Sequence, residues 1–70
     1  MSEVKVEEVI INGETLQKVT NRFSIITCYY SNASGQLHNP GGPALYHASG
    51  DKYYYLNGKE LSKEDFEAFL

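Results

Sequence analysis

The sequence predicts an α+β fold: a small antiparallel β-meander of about five strands with one short C-terminal helix packed on one face. Three observations carry this. Two Asn-Gly pairs, Asn12-Gly13 and Asn57-Gly58, each sit between runs of strand-forming residues, and Asn-Gly is the strongest short-range signal for a two-residue hairpin turn. Tyrosine supplies six of the nine aromatic residues, a composition that suits a pleated surface. The chain closes on Leu61-Ser62-Lys63-Glu64-Asp65-Phe66, which reads as a helix start. At 70 residues the expectation is one domain, residues 1–70.

The elements follow in order. Val4-Lys5-Val6-Glu7 alternates with period two, and Glu8 breaks the phase before Val9-Ile10-Ile11. That pattern predicts a strand over residues 4–11 with a bulge or bend near Glu7-Glu8. Reversal at Asn12-Gly13 sets Val9 opposite Leu16 and Glu7 opposite Lys18, one apolar and one opposite-charge pair. After a turn at Thr20-Asn21-Arg22, residues 23–30 are apolar on both faces, with Phe23, Ile25 and Tyr29 on one and Ile26, Cys28 and Tyr30 on the other. Such a strand is expected at the centre of a sheet.

Ser31 to Gly35 is turn-forming, and His38-Asn39-Pro40-Gly41-Gly42-Pro43 cannot continue a ladder, because prolines lack the N–H donor. A shaped loop is expected there. Residues 44–48 and 52–56 flank Ser49-Gly50-Asp51 and read as a second hairpin, after which Asn57-Gly58 turns the chain once more. Residues 63–70 are then expected to be helical, with Ser62 as N-cap, Asp65 as a weak capping-box partner, and Leu61 and Phe66 as the hydrophobic staple. Phe66, Phe69 and Leu70 share one helical face toward the sheet, and Glu64, Glu67 and Ala68 turn outward.

Charge and reactive side chains narrow the function classes. Nine acidic against six basic residues give a net charge of −3, the wrong sign for holding phosphate backbones, so no nucleic-acid partner is expected. No long apolar run is present and no membrane partner is expected. Cys28 is the one cysteine, which excludes an internal disulfide and fits a reducing, cytoplasmic setting. The first ten residues lack the basic head and apolar run of an export signal.

His38, His47, Cys28 and Asp51 do not fall into the closely spaced pairs that build zinc sites, so no metal is expected. Nor do they suggest any other cofactor. His38 is expected to brace the Pro-Gly loop and His47 to pack against tyrosines, while Cys28 fills space in mid-strand, where burial blunts a thiol. Gly41-Gly42 lacks the lysine and following helix of a phosphate cradle. No enzyme is expected.

The stretch Gly35-Gln36-Leu37-His38-Asn39-Pro40-Gly41-Gly42-Pro43-Ala44, followed by Gly50-Asp51-Lys52-Tyr53-Tyr54-Tyr55-Leu56-Asn57-Gly58-Lys59, resembles one unit of a short β-hairpin repeat common in proteins of large bacteriophages and some giant viruses. That unit runs as Leu-His, then Gly-Pro-Ala, an apolar run, a glycine turn, an aromatic pair and Asn-Gly-Lys. The resemblance implies a hairpin, a viral origin and hence a place in the host cytoplasm, and it carries no shared catalytic residues.

Tyrosine is the excess that calls for a function. Alternation sends Tyr53 and Tyr55 to one side of their strand and Tyr54 to the other, and tyrosine is enriched at interface hot spots. The expected function is therefore binding: an accessory or host-takeover factor that inhibits or redirects a host protein. Tyr46, Tyr53, Tyr54, Tyr55, His38, Pro40 and Pro43 are the expected contacts, and Glu64, Asp65 and Glu67 would steer a basic partner. A nucleotide-signal binder and a virion or assembly component are the alternatives. A homodimer through edge strands is a further possibility, since a sheet with two open edges lends itself to pairing.

Overall fold

The structure is a computed structural model, and it describes residues 4–69. Six strands run in chain order, β1 (Val4–Ile11), β2 (Glu14–Asn21), β3 (Ile26–Ser31), β4 (Leu45–His47), β5 (Lys52–Leu56) and β6 (Lys59–Leu61), followed by helix α1 (Lys63–Glu67). Each strand pairs antiparallel with the next, so the sheet is a six-stranded meander in sequence order. The sixth strand exceeds the expected five. It forms because the second Asn-Gly turn returns the chain against β5, pairing Tyr54 with Leu61, Tyr55 with Glu60 and Leu56 with Lys59.

Both Asn-Gly pairs adopt the doubly left-handed turn that their composition favours: φ is +50° and +81° at Asn12 and Gly13, and +51° and +83° at Asn57 and Gly58. The twist of such a turn matches that of the flanking strands. The first hairpin accordingly holds Val9 opposite Leu16 and Glu7 opposite Lys18. The expected bulge at Glu7-Glu8 is absent, because β1 keeps one register from Val4 to Ile11. Both glutamates tolerate the pleat: Glu7 faces Lys18, and Glu8 faces the uncharged Gln17.

The strand expected over residues 23–30 begins only at Ile26. Asn21 Oδ1 accepts from Phe23 N at 3.1 Å and Ser24 Oγ accepts from Ile26 N at 3.2 Å, so local side chains capture the backbone donors that a ladder needs. Phe23 and Ile25 are left 78% and 69% exposed. A register shift between Ile26 and Cys28 follows where β3 meets β4.

Alternation and register assign every strand residue to a face. One, the covered face, carries Lys5, Glu7, Val9 and Ile11 of β1 together with Leu16, Lys18, Cys28, Tyr30, Tyr46, Lys52, Tyr54 and Leu61. Helix α1 lies on this face, where the Phe66 ring sits 4.8 Å from that of Tyr54. The other, the open face, carries Val4, Val6, Glu8 and Ile10, then Val19, Tyr29, Leu45, Tyr53 and Tyr55.

Helix α1 is shorter than the expected 63–70. Ser62 caps it as expected, its Oγ accepting from Asp65 N at 3.1 Å, and Phe66 is buried, whereas Phe69 is 70% exposed. The reason is geometric: helical residues end at Glu67, so Phe69 leaves the face that Phe66 occupies. The expected contact of Leu70 lies outside the described residues.

Candidate functional site

The covered face is closed by the segment between β3 and β4. Leu37 to Asn39 wedge between the ends of β3 and β5: His38 N donates to Tyr30 O at 3.1 Å, Asn39 N to Tyr55 O at 3.1 Å, and Gly58 N to Leu37 O at 2.8 Å. Asn39 then folds the loop on itself, accepting from Gly41 N and donating from Nδ2 to Pro43 O, both at 2.9 Å. Gly41 passes so close to the first hairpin that an added Cβ would lie 2.6 Å from Ile11 Cγ2. Asn12 Nδ2 donates to Pro40 O at 3.3 Å and ties the turn to the loop.

His38 is the hub of this closure and is only 4% exposed. Its Nδ1 accepts from Asn57 N at 2.9 Å, and its Nε2 lies 2.8 Å from Glu14 Oε2. A backbone N–H can only donate, so Nδ1 carries no proton and the neutral ring donates from Nε2 to the Glu14 carboxylate. Both ring nitrogens are thus committed to holding three parts of the chain together: the first hairpin, the loop and the second Asn-Gly turn. The expected bracing role holds, and the expected contact role is corrected, because a ring this deep offers no surface to a partner.

His47 ends β4, with Nδ1 3.0 Å from Ser49 Oγ in the β4–β5 turn. Its contact is the turn, where packing against tyrosines was expected. Cys28 is a free, half-buried thiol on the covered face, between Thr20 and Tyr46 in register. Among the described residues, no group of three His, Cys, Asp or Glu side chains converges in a way that could hold a metal ion. No helix among them is long and apolar enough to cross a membrane.

The tyrosines divide between the faces as alternation predicts for Tyr53, Tyr54 and Tyr55, so the four tyrosines expected as contacts do not form one surface. Tyr46 and Tyr54 belong to the covered face, Tyr54 tilted at 32° against Phe66. Tyr46 ionises with more difficulty than an ordinary tyrosine, first because it is desolvated and then because Tyr30, Cys28 and Tyr54 would add charge of the same sign; Lys18 opposes this. Tyr53 and Tyr55 belong to the open face. Tyr55 is also raised, first by desolvation and then by Glu60, its cross-strand partner, which repels a phenolate and accepts a hydrogen bond from the neutral hydroxyl.

Pro40 and Pro43 are half-buried, and their carbonyls serve the loop. Glu64, Asp65 and Glu67 are exposed on α1, in the covered-face layer and away from Tyr53 and Tyr55. The site residues proposed from sequence are therefore not one patch.

What register does assemble is a row that composition alone does not show. Val6 pairs with Val19, Val19 with Tyr29, Tyr29 with Leu45, and Leu45 with Tyr53, so five strands place an apolar or aromatic side chain at the same level of the open face. At about 4.8 Å between strands the row runs roughly 19 Å. Val4, Val6 and Ile10 beside it are 45%, 58% and 73% exposed. The strand lysines Lys5, Lys18, Lys52 and Lys59 all fall on the covered face, and the open face has acidic charge only at Glu8 and Glu60. Strand alternation, followed across all pairs, would have found Val6, Val19, Tyr29 and Leu45.

No family profile, curated protein sequence or solved structure matches this chain.

Proposed function

We propose that this is a small non-enzymatic binding protein that docks a protein partner on the open face of its sheet. The observation that carries the reading is the in-register row Val6–Val19–Tyr29–Leu45–Tyr53, flanked by exposed Val4 and Ile10. An apolar centre with aromatic residues and few charges is the composition of an interface core. The molecule measures 41 × 26 × 16 Å, so its broad face is wide enough for the contact of about 800 Å² per partner that a specific complex uses.

The chemistry favours binding over turnover. Both nitrogens of His38 are spent on structure, and an acid or base needs a proton site that can reach a substrate. The hairpin resemblance adds a setting: a phage-encoded accessory factor that redirects or inhibits a host protein in the host cytoplasm. Glu8 and Glu60 would favour a partner with basic residues around an apolar centre.

Affinity capture from host cells tests this with the double variant Tyr53→Ser/Tyr55→Ser. The expected result is loss of the partner captured by the parent protein, with the melting temperature nearly unchanged. A large fall in melting temperature would place these rings in the core and end the argument.

A further inference from the structure

We infer that a second copy of this chain pairs with the outer edge of β1 in one particular register, producing a continuous twelve-stranded sheet about a two-fold axis at Val6. This goes beyond the open-face reading and does not rest on it.

The two edges of the sheet differ. At one end β6 has three residues and runs straight into α1. At the other, β1 has eight residues, keeps one register throughout and contains no proline. Long, regular edges are the ones that accept another strand, and proteins ordinarily blunt them with bulges, prolines or charge. Only charge is present on β1, so its placement decides the outcome.

The two-residue turn at Asn12-Gly13 makes Ile11 and Glu14 a hydrogen-bonded pair, and hydrogen-bonded pairs then alternate along the hairpin. Val9, Glu7 and Lys5 therefore bond toward β2, and the backbone N–H and C=O groups of Val6, Glu8 and Ile10 aim away from it. A two-fold axis normal to the sheet keeps each residue opposite one on the same face, so the possible registers step by two. An axis at Lys5 sets lysine on lysine, one at Glu7 sets glutamate on glutamate, and one at Glu8 does the same. An axis at Val9 leaves Glu7 facing Ile11 and Glu8 facing Ile10.

Among the described residues, an axis at Val6 is the register that matches opposite charges: Lys5 of each copy falls opposite Glu7 of the other. Because Glu7 already faces Lys18 across β1 and β2, the covered face gains two alternating rows, each running Lys18, Glu7 and then Lys5 of the other copy. On the open face Val6 meets Val6, so the row Val6–Val19–Tyr29–Leu45–Tyr53 continues into its duplicate. The cost of this register is Val4 of each copy opposite Glu8 of the other on the open face, so the opposite-charge match of Lys5 and Glu7 across the junction, in addition to their 3.9 Å pair within each copy, is what selects it.

Sedimentation equilibrium tests the assembly up to about 1 mM protein, a range that populates even contacts smaller than about 1,200 Å². The parent chain is expected to double in mass. Lys5→Glu and Glu7→Lys are each expected to weaken the dimer about tenfold or more, since two attractive cross-strand pairs become repulsive. An equimolar mixture of the two variants is expected to recover it, because one variant is acidic at both positions and the other basic at both, so each pair across the junction regains opposite charges. A parent chain that stays monomeric overturns the inference, as does a dimer indifferent to both variants, or a mixture of two folded variants that fails to pair. If either variant does not fold, amide exchange of the parent decides: protection of Val6 and Glu8 N–H should grow with concentration, and its absence overturns the inference. Lys5 and Glu7 lie on the covered side, so failure here leaves the Tyr53/Tyr55 experiment and its reading intact.

Discussion

On the covered face, Leu16, Ala44 and Phe66 are 1%, 0% and 3% exposed; there the 32–43 segment closes on the first hairpin and α1 brings Phe66 onto Tyr54 of β5. On the open face, Val6 and Ile10 are made of the same kind of atoms and stand 58% and 73% exposed. The same strands build both. What separates them is which face the connections cross, and in a chain of 70 residues one loop and a five-residue helix suffice for one side. Stability is therefore expected to reside in the covered face and recognition in the open one, and each substitution below separates the two.

The largest effect is expected from Leu16→Ala, which empties the most enclosed large side chain. Such truncations cost about 2–5 kcal/mol, and a domain this small has only about 3–5 kcal/mol to lose, so chemical denaturation should find the variant largely unfolded. Val6→Thr on the open face should stay within about 0.5 kcal/mol of the parent. Equal costs for the two would erase the distinction between the faces.

His38→Ala comes next. It empties a ring that is only 4% exposed and removes its bonds to Asn57 N and Glu14, and a cavity with lost hydrogen bonds of this kind costs about 1–3 kcal/mol. The parent protein should show the matching signature by nitrogen NMR: Nδ1 unprotonated and Nε2 carrying the proton. The opposite tautomer would mean that Asn57 N–H does not bond to this ring, and the closure would have to be explained without it.

Gly58→Val probes the second Asn-Gly turn, which the closure depends on through the Gly58 N–H to Leu37 O bond. With φ at +83°, a β-branched residue is expected to cost about 1–2 kcal/mol. The Cβ would stand in ordinary contact with the Gln36 side chain, 3.4 Å from its Cβ, so the backbone conformation carries the cost. A neutral result in thermal denaturation would show that the turn is not held in the left-handed region.

How much of this was legible follows from range. The Asn-Gly turns, the Val9–Leu16 and Glu7–Lys18 pairs, the Ser62 cap and the opposite sides of Tyr53 and Tyr54 are set by neighbours in sequence, and sequence patterning reads them. Leu37 to Asn39 seat themselves between β3 and β5 by bonds to Tyr30, Tyr55 and Gly58, and nothing in Leu-His-Asn signals those distant partners. His38 was therefore legible as a brace of the loop, but not as one buried between Glu14 and Asn57 and out of a partner's reach. Phe23 and Ile25 lie before β3 for a local reason: they alternate like a strand, but Asn21 takes the Phe23 N–H and Ser24 that of Ile26, which turns the chain there. The open-face row was within reach, and it needed the register of five strands followed together.

The smallest expected effect compares one tyrosine from each face. Tyr46 and Tyr55 both ionise above the ordinary value of 10.0, so the folded chain holds these two protons more tightly than the unfolded chain does. The folded state then binds more protons than the unfolded state once pH exceeds 10, and stability falls with rising pH in that range. Urea denaturation at rising alkaline pH should show the decline, and Tyr46→Phe and Tyr55→Phe should each reduce it. Burial is the leading cause for both residues, but the second cause differs. For Tyr55 it is Glu60 across the strand, whereas for Tyr46 it is the cluster of Tyr30, Cys28 and Tyr54. Glu60→Gln should therefore soften the alkaline decline in the parent and do nothing further in the Tyr55→Phe background, while in the Tyr46→Phe background its effect should persist. If Glu60→Gln instead acted only when Tyr46 was present, the two faces would be electrostatically coupled through the sheet, and the division of labour between them would have to be redrawn.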